Sequence, residues 1–242
     1  MSDLTVIQQA VLKRVASLGV PAGGRVLDAP CGNRAALTLA LQRAGFSVTG
    51  ADVDAEASHL LGDSFSAADL NANLPWPESS FDAVISTEGI EHLENPFLFL
   101  REVTRILKPG GILLLTTPNI TALRSRVRFM GSGFFGRDAR PLNESARHPL
   151  HHIGLLAFPE LRYALQVSGL QLQEVRSTHV KPISYWYAIF APWMWIYTKM
   201  AFRKEKDAAQ RERNKSIRSD LLSASLLFGE SLMVVARKSP TR

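Results

Sequence analysis

Three side chains that could act together lie within five residues: Glu88, Glu91 and His92. If the segment is helical, positions i, i+3 and i+4 share one face, and two carboxylates converge with an imidazole. Carboxylate oxygens and an imidazole nitrogen suit a divalent cation such as Mg²⁺, Mn²⁺ or Zn²⁺. A fourth ligand is available from His148, His151 or His152. Without a metal, His92 or His152 suits general-base work, because an unperturbed imidazole titrates near neutral pH. A third reading leaves His92 packed and Glu91 on a helix surface. Two further acids, Asp28 and Asp52, stand 24 residues apart, each ending a short apolar run. Ligands of open α/β sheets bind at the carboxyl ends of the strands, so the second acid is placed to hydrogen-bond a ribose.

The elements that must carry these residues are legible. Arg25 to Asp28 and Phe46 to Asp52 read as buried parallel strands, short and largely apolar. Between them, Ala35 to Ala44 has the apolar spacing of a helix. A third strand is expected at Phe65 to Asp69 and a fourth at Phe81 to Thr87. An amphipathic helix follows at Phe97 to Leu107, closed by Lys108-Pro109-Gly110-Gly111 as a stop and turn. Ile112 to Thr117 is almost continuously apolar, which places a fifth strand inside the sheet. The rhythm then breaks over residues 118–150. It resumes with a helix at Phe158 to Ser168, an alternating strand at Leu170 to Thr178 and a last strand at Glu230 to Ala236. A leading amphipathic helix lies within residues 1–18.

The composition narrows the function classes. The chain has 242 residues and is 46% apolar, ordinary for a globular core. A lone cysteine, Cys31, excludes an intramolecular disulfide and fits a reducing, cytoplasmic compartment. Residues 1–18 carry Asp3 and no long apolar core, unlike a signal peptide. Charge is unevenly spread: residues 1–119 hold 8 Lys and Arg against 13 Asp and Glu, whereas residues 120–242 hold 20 against 9. A basic second half points to an anionic partner: a phosphate-bearing substrate, a membrane surface or nucleic acid.

Two insertions carry that charge. Residues 120–150 contain Arg124, Arg126, Arg128, Arg137 and Arg140, suited to phosphate, or else a solvated basic loop. Within residues 181–225, Pro182 to Thr198 is uncharged and holds Trp186, Trp193, Trp195, Tyr185, Tyr187 and Tyr197. Lys199, Arg203, Lys204 and Lys206 follow. The run is short for a membrane span and Pro192 interrupts it. It reads as a segment lying in the membrane interface, with peripheral contact through residues 182–202 at the inner face. A buried aromatic lid and a dimer contact remain as alternatives. The aromatics form one uncharged block and do not interleave with basic residues, which argues against RNA.

Taken in order, these motifs resemble those of the class I S-adenosylmethionine-dependent methyltransferases. Asp28-Ala29-Pro30-Cys31-Gly32-Asn33-Arg34 is similar to the family's acid and glycine-rich turn, and it keeps the middle glycine. The resemblance implies a Rossmann-like α/β fold: a doubly wound, mostly parallel seven-stranded sheet. It implies one methyltransferase domain over residues 1–242, with the cofactor-binding core in 1–119. It also implies that S-adenosylmethionine contacts Asp28, Cys31, Gly32, Asp52, Val53, Asp69, Leu70 and Glu88, with Asp52 on the ribose and Asp69 on the adenine. The Glu88, Glu91, His92 pattern is similar to that of the ubiquinone-pathway O-methyltransferases and the small-RNA terminal 2′-O-methyltransferases. There it is associated with a metal at the acceptor hydroxyls. Thr117-Pro118-Asn119-Ile120 and Leu123-Arg124-Ser125-Arg126 also resemble methyltransferases of surface-polysaccharide synthesis. Together these put first a glycan, glycolipid or other lipid-linked hydroxyl as acceptor, with Glu91, His92 and His152 as catalytic residues. A quinone-type phenol and RNA follow as alternatives, and a cofactor-binding scaffold without activity is the fourth.

Overall fold

The computed structural model describes residues 4–135, 142, 143, 145 and 151–239. Arg137, Arg140 and His148 lie outside the described residues. Seven strands form one sheet: β1 (Arg25–Asp28), β2 (Ser47–Asp52), β3 (Phe65–Ala67), β4 (Phe81–Thr87), β5 (Leu107–Pro118), β6 (Leu170–Ser177) and β7 (Ser231–Lys238). Their order is β3-β2-β1-β4-β5-β7-β6. Strands β1 to β5 pair in parallel, and β7 runs antiparallel to both β5 and β6. This is the doubly wound sheet expected from the sequence. Strand order reverses between β1 and β4, so a crevice opens outside their carboxyl ends.

Side-chain alternation divides the central strands between two cores. Leu27, Val84, Leu113 and Leu115 face a cluster that includes Phe99, Val103 and Phe158. Val26, Ala83, Ile85 and Leu114 face a second cluster with Val11, Val15, Leu37 and Leu41. The second belongs to helices α1 (Val6–Val15) and α2 (Ala36–Arg43). The first is filled by α4 (Pro96–Ile106) and α6 (Phe158–Val167); the short helix α3 is Ser58–Leu61. The Asn95 side chain accepts from Leu98 N and starts α4, with Pro96 in its first turn. Phe99, Leu100, Val103 and Ile106 form its buried face.

Several expectations shift. The third strand ends at Ala67, so Asp69 lies in the following turn. Lys108-Pro109-Gly110-Gly111 does not end a helix before a loop. The chain passes from α4 into β5 at Leu107, and these four residues bulge between the pairs Phe81–Leu107 and Ala83–Ile112. Residues 118–150 are not without structure: α5 (Leu123–Ser132) lies there. The second insertion is a 3-10 segment, Pro182–Phe190, followed by α7 (Ala191–Phe202), α8 (Ala208–Leu221) and α9 (Ala224–Phe228). Among the described residues, no helix is long and apolar enough to cross a membrane.

Candidate active site

Asp28 closes β1 and is 1% exposed. Thr38 in α2 donates its hydroxyl to Asp28 Oδ2 at 2.7 Å, while Oδ1 has no partner. Burial pushes the carboxyl up from 3.8 to about 7. Beyond it the chain turns through Pro30 to Gly32, where φ is +65° and nothing lies within 4 Å of the place a Cβ would occupy. The turn therefore faces open space, and glycine suits its left-handed backbone. Gly32 N donates to Asp52 Oδ2 at 2.9 Å, and Cys31 N donates to the Ala51 carbonyl at 2.8 Å. Asp52 also accepts from Asp54 N at 3.1 Å, so one carboxylate at the tip of β2 orders two loops. Each of its oxygens keeps acceptor capacity for a ligand hydroxyl. Burial pushes the Cys31 thiol up to about 12, so it supplies no thiolate.

Val53 is exposed, Leu70 is buried, and exposed Asp69 accepts from Asn71 N at 2.8 Å as a turn acid. Arg34 is exposed and does not pack into the turn. Just beyond β4, Gly89 touches the β1 loop: a Cβ there would stand 2.4 Å from Pro30 Cδ. Asp28, Cys31, Gly32, Asp52 and Glu88 thus gather at adjacent strand ends.

The Glu88, Glu91, His92 group is not one face of an α-helix. Glu88 has φ +50° and its N–H donates to Thr116 Oγ1 at 3.0 Å, and a 3-10 turn, Ile90–His92, follows. Glu88 accordingly stands apart from the set that converges, which is Glu91, His92 and His152. One ligand atom from each lies within 4.8 Å of the others. Glu91 is fully buried; Thr117 donates to Oε2 at 3.2 Å and Oε1 has no partner. Burial holds both glutamates above the usual carboxylate range, and the Glu88 charge raises Glu91 further.

His92 Nδ1 lies 3.2 Å from the His151 carbonyl, so Nδ1 carries the proton in the neutral ring and Nε2 the lone pair. His152 meets His92 edge-on, with ring centroids 4.9 Å apart. Burial first, and then repulsion from His92, lower the His152 pKa and favour its neutral form. Gly154 brings this segment close. Its N–H donates to the Glu91 carbonyl at 2.8 Å, and a Cβ there would stand 2.6 Å from the Leu93 carbonyl oxygen.

A cavity of about 320 Å³ adjoins the group, with Glu88, Arg124, His152, Lys181, Glu230 and Ser231 in its wall. Arg124 and Lys181 each reach Glu230 at 2.6 Å. Burial raises the Glu230 pKa, but Lys181 and Arg124 outweigh it and hold the carboxyl low. The arginines expected to bind phosphate are partly engaged already: Arg124 with Glu230, and half-buried Arg126 with the Thr121 carbonyl at 2.6 Å and Met194 Sδ at 3.5 Å. Sequence reasoning missed Thr38, Gly89, Gly154 and Glu230. A hydroxyl on the buried stripe of α2 was the available signal for Thr38; the others depend on contacts between distant segments.

A methyltransferase domain model matches residues 6–175. The ubiquinone biosynthesis O-methyltransferase of Xanthomonas campestris pv. campestris is 33% identical over 172 residues, covering 66% of this chain and 68% of that protein. Its counterpart in Xanthomonas axonopodis pv. citri is 32% identical over 174 residues, covering 67% and 69%. The crystal structure of an S-adenosylmethionine-dependent methyltransferase from Mesorhizobium loti has the same fold, with TM-score 0.55, 20% identity and coverage of 96% of this chain and 97% of that one.

Proposed function

The chain belongs to the S-adenosylmethionine-dependent methyltransferase family, and we propose that it methylates a hydroxyl of a phenolic, quinone-type ring. The observation that carries this reading is the convergence of Glu91, His92 and His152 beside a cavity, in a chain similar to ubiquinone biosynthesis O-methyltransferases. The same likeness ranks a quinone-type ring above the glycan or lipid-linked acceptor expected from the sequence.

The donor side fits the cofactor. Asp28 offers an unpartnered buried oxygen, Gly32 faces open space, and Asp52 presents acceptors to ribose hydroxyls. Bound there, S-adenosylmethionine supplies an electrophilic methyl on a sulfonium sulfur. A hydroxyl acceptor must lose a proton as its oxygen takes that methyl. His92 Nε2 receives the proton in this reading, with the ring oriented by the His151 carbonyl. Holding the two reactants in line supplies most of the remaining rate. One carboxylate oxygen and two imidazole nitrogens also suit a divalent cation, and the unpartnered Oε1 of Glu91 is consistent with one. Such an ion would lower the pKa of the acceptor hydroxyl.

The test is methyl transfer from labelled S-adenosylmethionine to an alkylated catechol and to a hexose glycoside, with product mass read out. Methylation of the catechol is expected. His92→Ala is expected to cut kcat by about a hundredfold or more while S-adenosylmethionine binding stays intact. Transfer to the glycoside alone would overturn the reading. Chelation followed by metal add-back separates the two roles of the cluster, since only a metal site loses and then regains activity.

A further inference from the structure

Among the described residues, nine of the nineteen exposed large hydrophobic side chains lie in helix α7 and the 3-10 segment before it. Trp186 is 80% exposed, Ile189 78%, Tyr197 65% and Trp193 55%. No residue of α7 is buried, and Ser184 alone is buried in the 3-10 segment. Soluble chains rarely leave contiguous apolar surface of this kind without a partner. The element is nevertheless anchored. Phe202 at the end of α7 packs on the main core, Arg126 reaches Met194, and the Tyr185 ring lies 5.3 Å from that of Phe228.

We propose that residues 182–202 dock on an anionic lipid bilayer and lie in its interface. The chemistry of the surface selects this occupant. Tryptophan and tyrosine have the amphipathic rings that settle at headgroup level. Cations adjoin them: Lys199 Nζ stands 4.8 Å from the Trp195 ring centroid, and Arg203, Lys204 and Lys206 are exposed just beyond. Residues 199–218 hold eight Lys and Arg against three Asp and Glu. A basic flank beside an uncharged aromatic block complements anionic headgroups above acyl chains. A second copy of this chain would bring the same cations against each other. Ser184 also lines the cavity, so the docked element contributes to its wall. The docking stands on surface chemistry and holds whichever acceptor is methylated.

The test is flotation of the full chain with phosphatidylcholine vesicles, with and without about a third of phosphatidylglycerol. Binding to the anionic vesicles is expected, with a blue shift of tryptophan emission. Trp76 is half-buried on the core, so the shift reports on the three tryptophans of the insertion. Affinity on uncharged vesicles should fall roughly a hundredfold, from about fivefold for each of three surface cations. The combined variant Trp186→Ser, Ile189→Ser, Trp193→Ser should bind about tenfold or more weakly and keep its thermal unfolding midpoint. Absence of flotation, or flotation unchanged in the variant, would overturn the proposal. So would a dimer, seen by sedimentation, that the variant splits while vesicles are left unbound.

Discussion

Helices α4 and α7 are nearly the same length, both open with proline in the first turn, and both are rich in aromatic and aliphatic residues. They have opposite fates. Helix α4 places its apolar residues on one stripe and buries Phe99, Leu100, Val103 and Ile106 against the sheet. Helix α7 carries apolar residues on all sides and buries none. Apolar content alone therefore does not decide burial. A stripe commits a helix to the chain's own core, whereas an all-round apolar surface exceeds what one contact with that core can cover.

Substitutions on the two helices test that contrast directly. Phe99→Ala should have the largest effect, about 3–5 kcal/mol of stability measured by urea unfolding, because it opens a cavity in a packed core. A loss below about 1 kcal/mol would mean that α4 is not the anchor its burial indicates.

Thr38→Val should come next, at about 1–3 kcal/mol, by removing the donor to buried Asp28. Its cost should be greater at pH 8.5 than at pH 5, since it is the ionised carboxylate that needs the donor most. Asp28 itself has a folded pKa of about 7 against 3.8, so folding favours its protonated form. That stabilisation is complete below pH 3.8 and is lost as pH rises to about 7. Asp28→Asn should abolish this part of the pH dependence, and an unchanged profile would refute the assignment.

Lys108→Met should cost about 1 kcal/mol or less, because the Lys108–Asp82 pair at 2.8 Å is partly solvated. Burial raises the Asp82 pKa, but the interactions with Lys108 and Arg25 together outweigh it and the net shift is downward. The pair's contribution should therefore persist above the usual carboxylate range and fade as acid protonates Asp82. Smallest of all, Trp193→Ser on α7 should change stability by less than about 0.5 kcal/mol. A loss comparable to that of Phe99→Ala would show that α7 packs within the chain after all.

The half of the candidate site at Asp28 and Asp52 was far more legible in the sequence than the half at Glu91 and the histidines. Asp28 and Asp52 announce themselves because each ends a short apolar run, and parallel pairing then sets such ends side by side. The Glu88, Glu91, His92 spacing was legible too, but its geometry was not. Helical spacing predicts one shared face, and the left-handed backbone at Glu88 breaks it. His152 enters through a segment some sixty residues away, held by Gly154 against the Glu91 turn. The basic insertion misled in a similar way. Its arginines read as phosphate ligands, yet Arg124 and Arg126 have partners brought by Glu230, just before β7, and by α7.

The sequence by itself determined the sheet, its strand ends and the acids at those ends, because periodicity and apolar runs are local properties that any folded chain must satisfy. It also determined that residues 182–198 would be aromatic and uncharged, whatever they met. Only the tertiary structure decided which carboxylate joins the histidines, which arginines are already engaged, and that the aromatic block stays at the surface. Those outcomes depend on contacts between segments far apart in the chain, where a single backbone angle or one glycine's missing Cβ selects the partner.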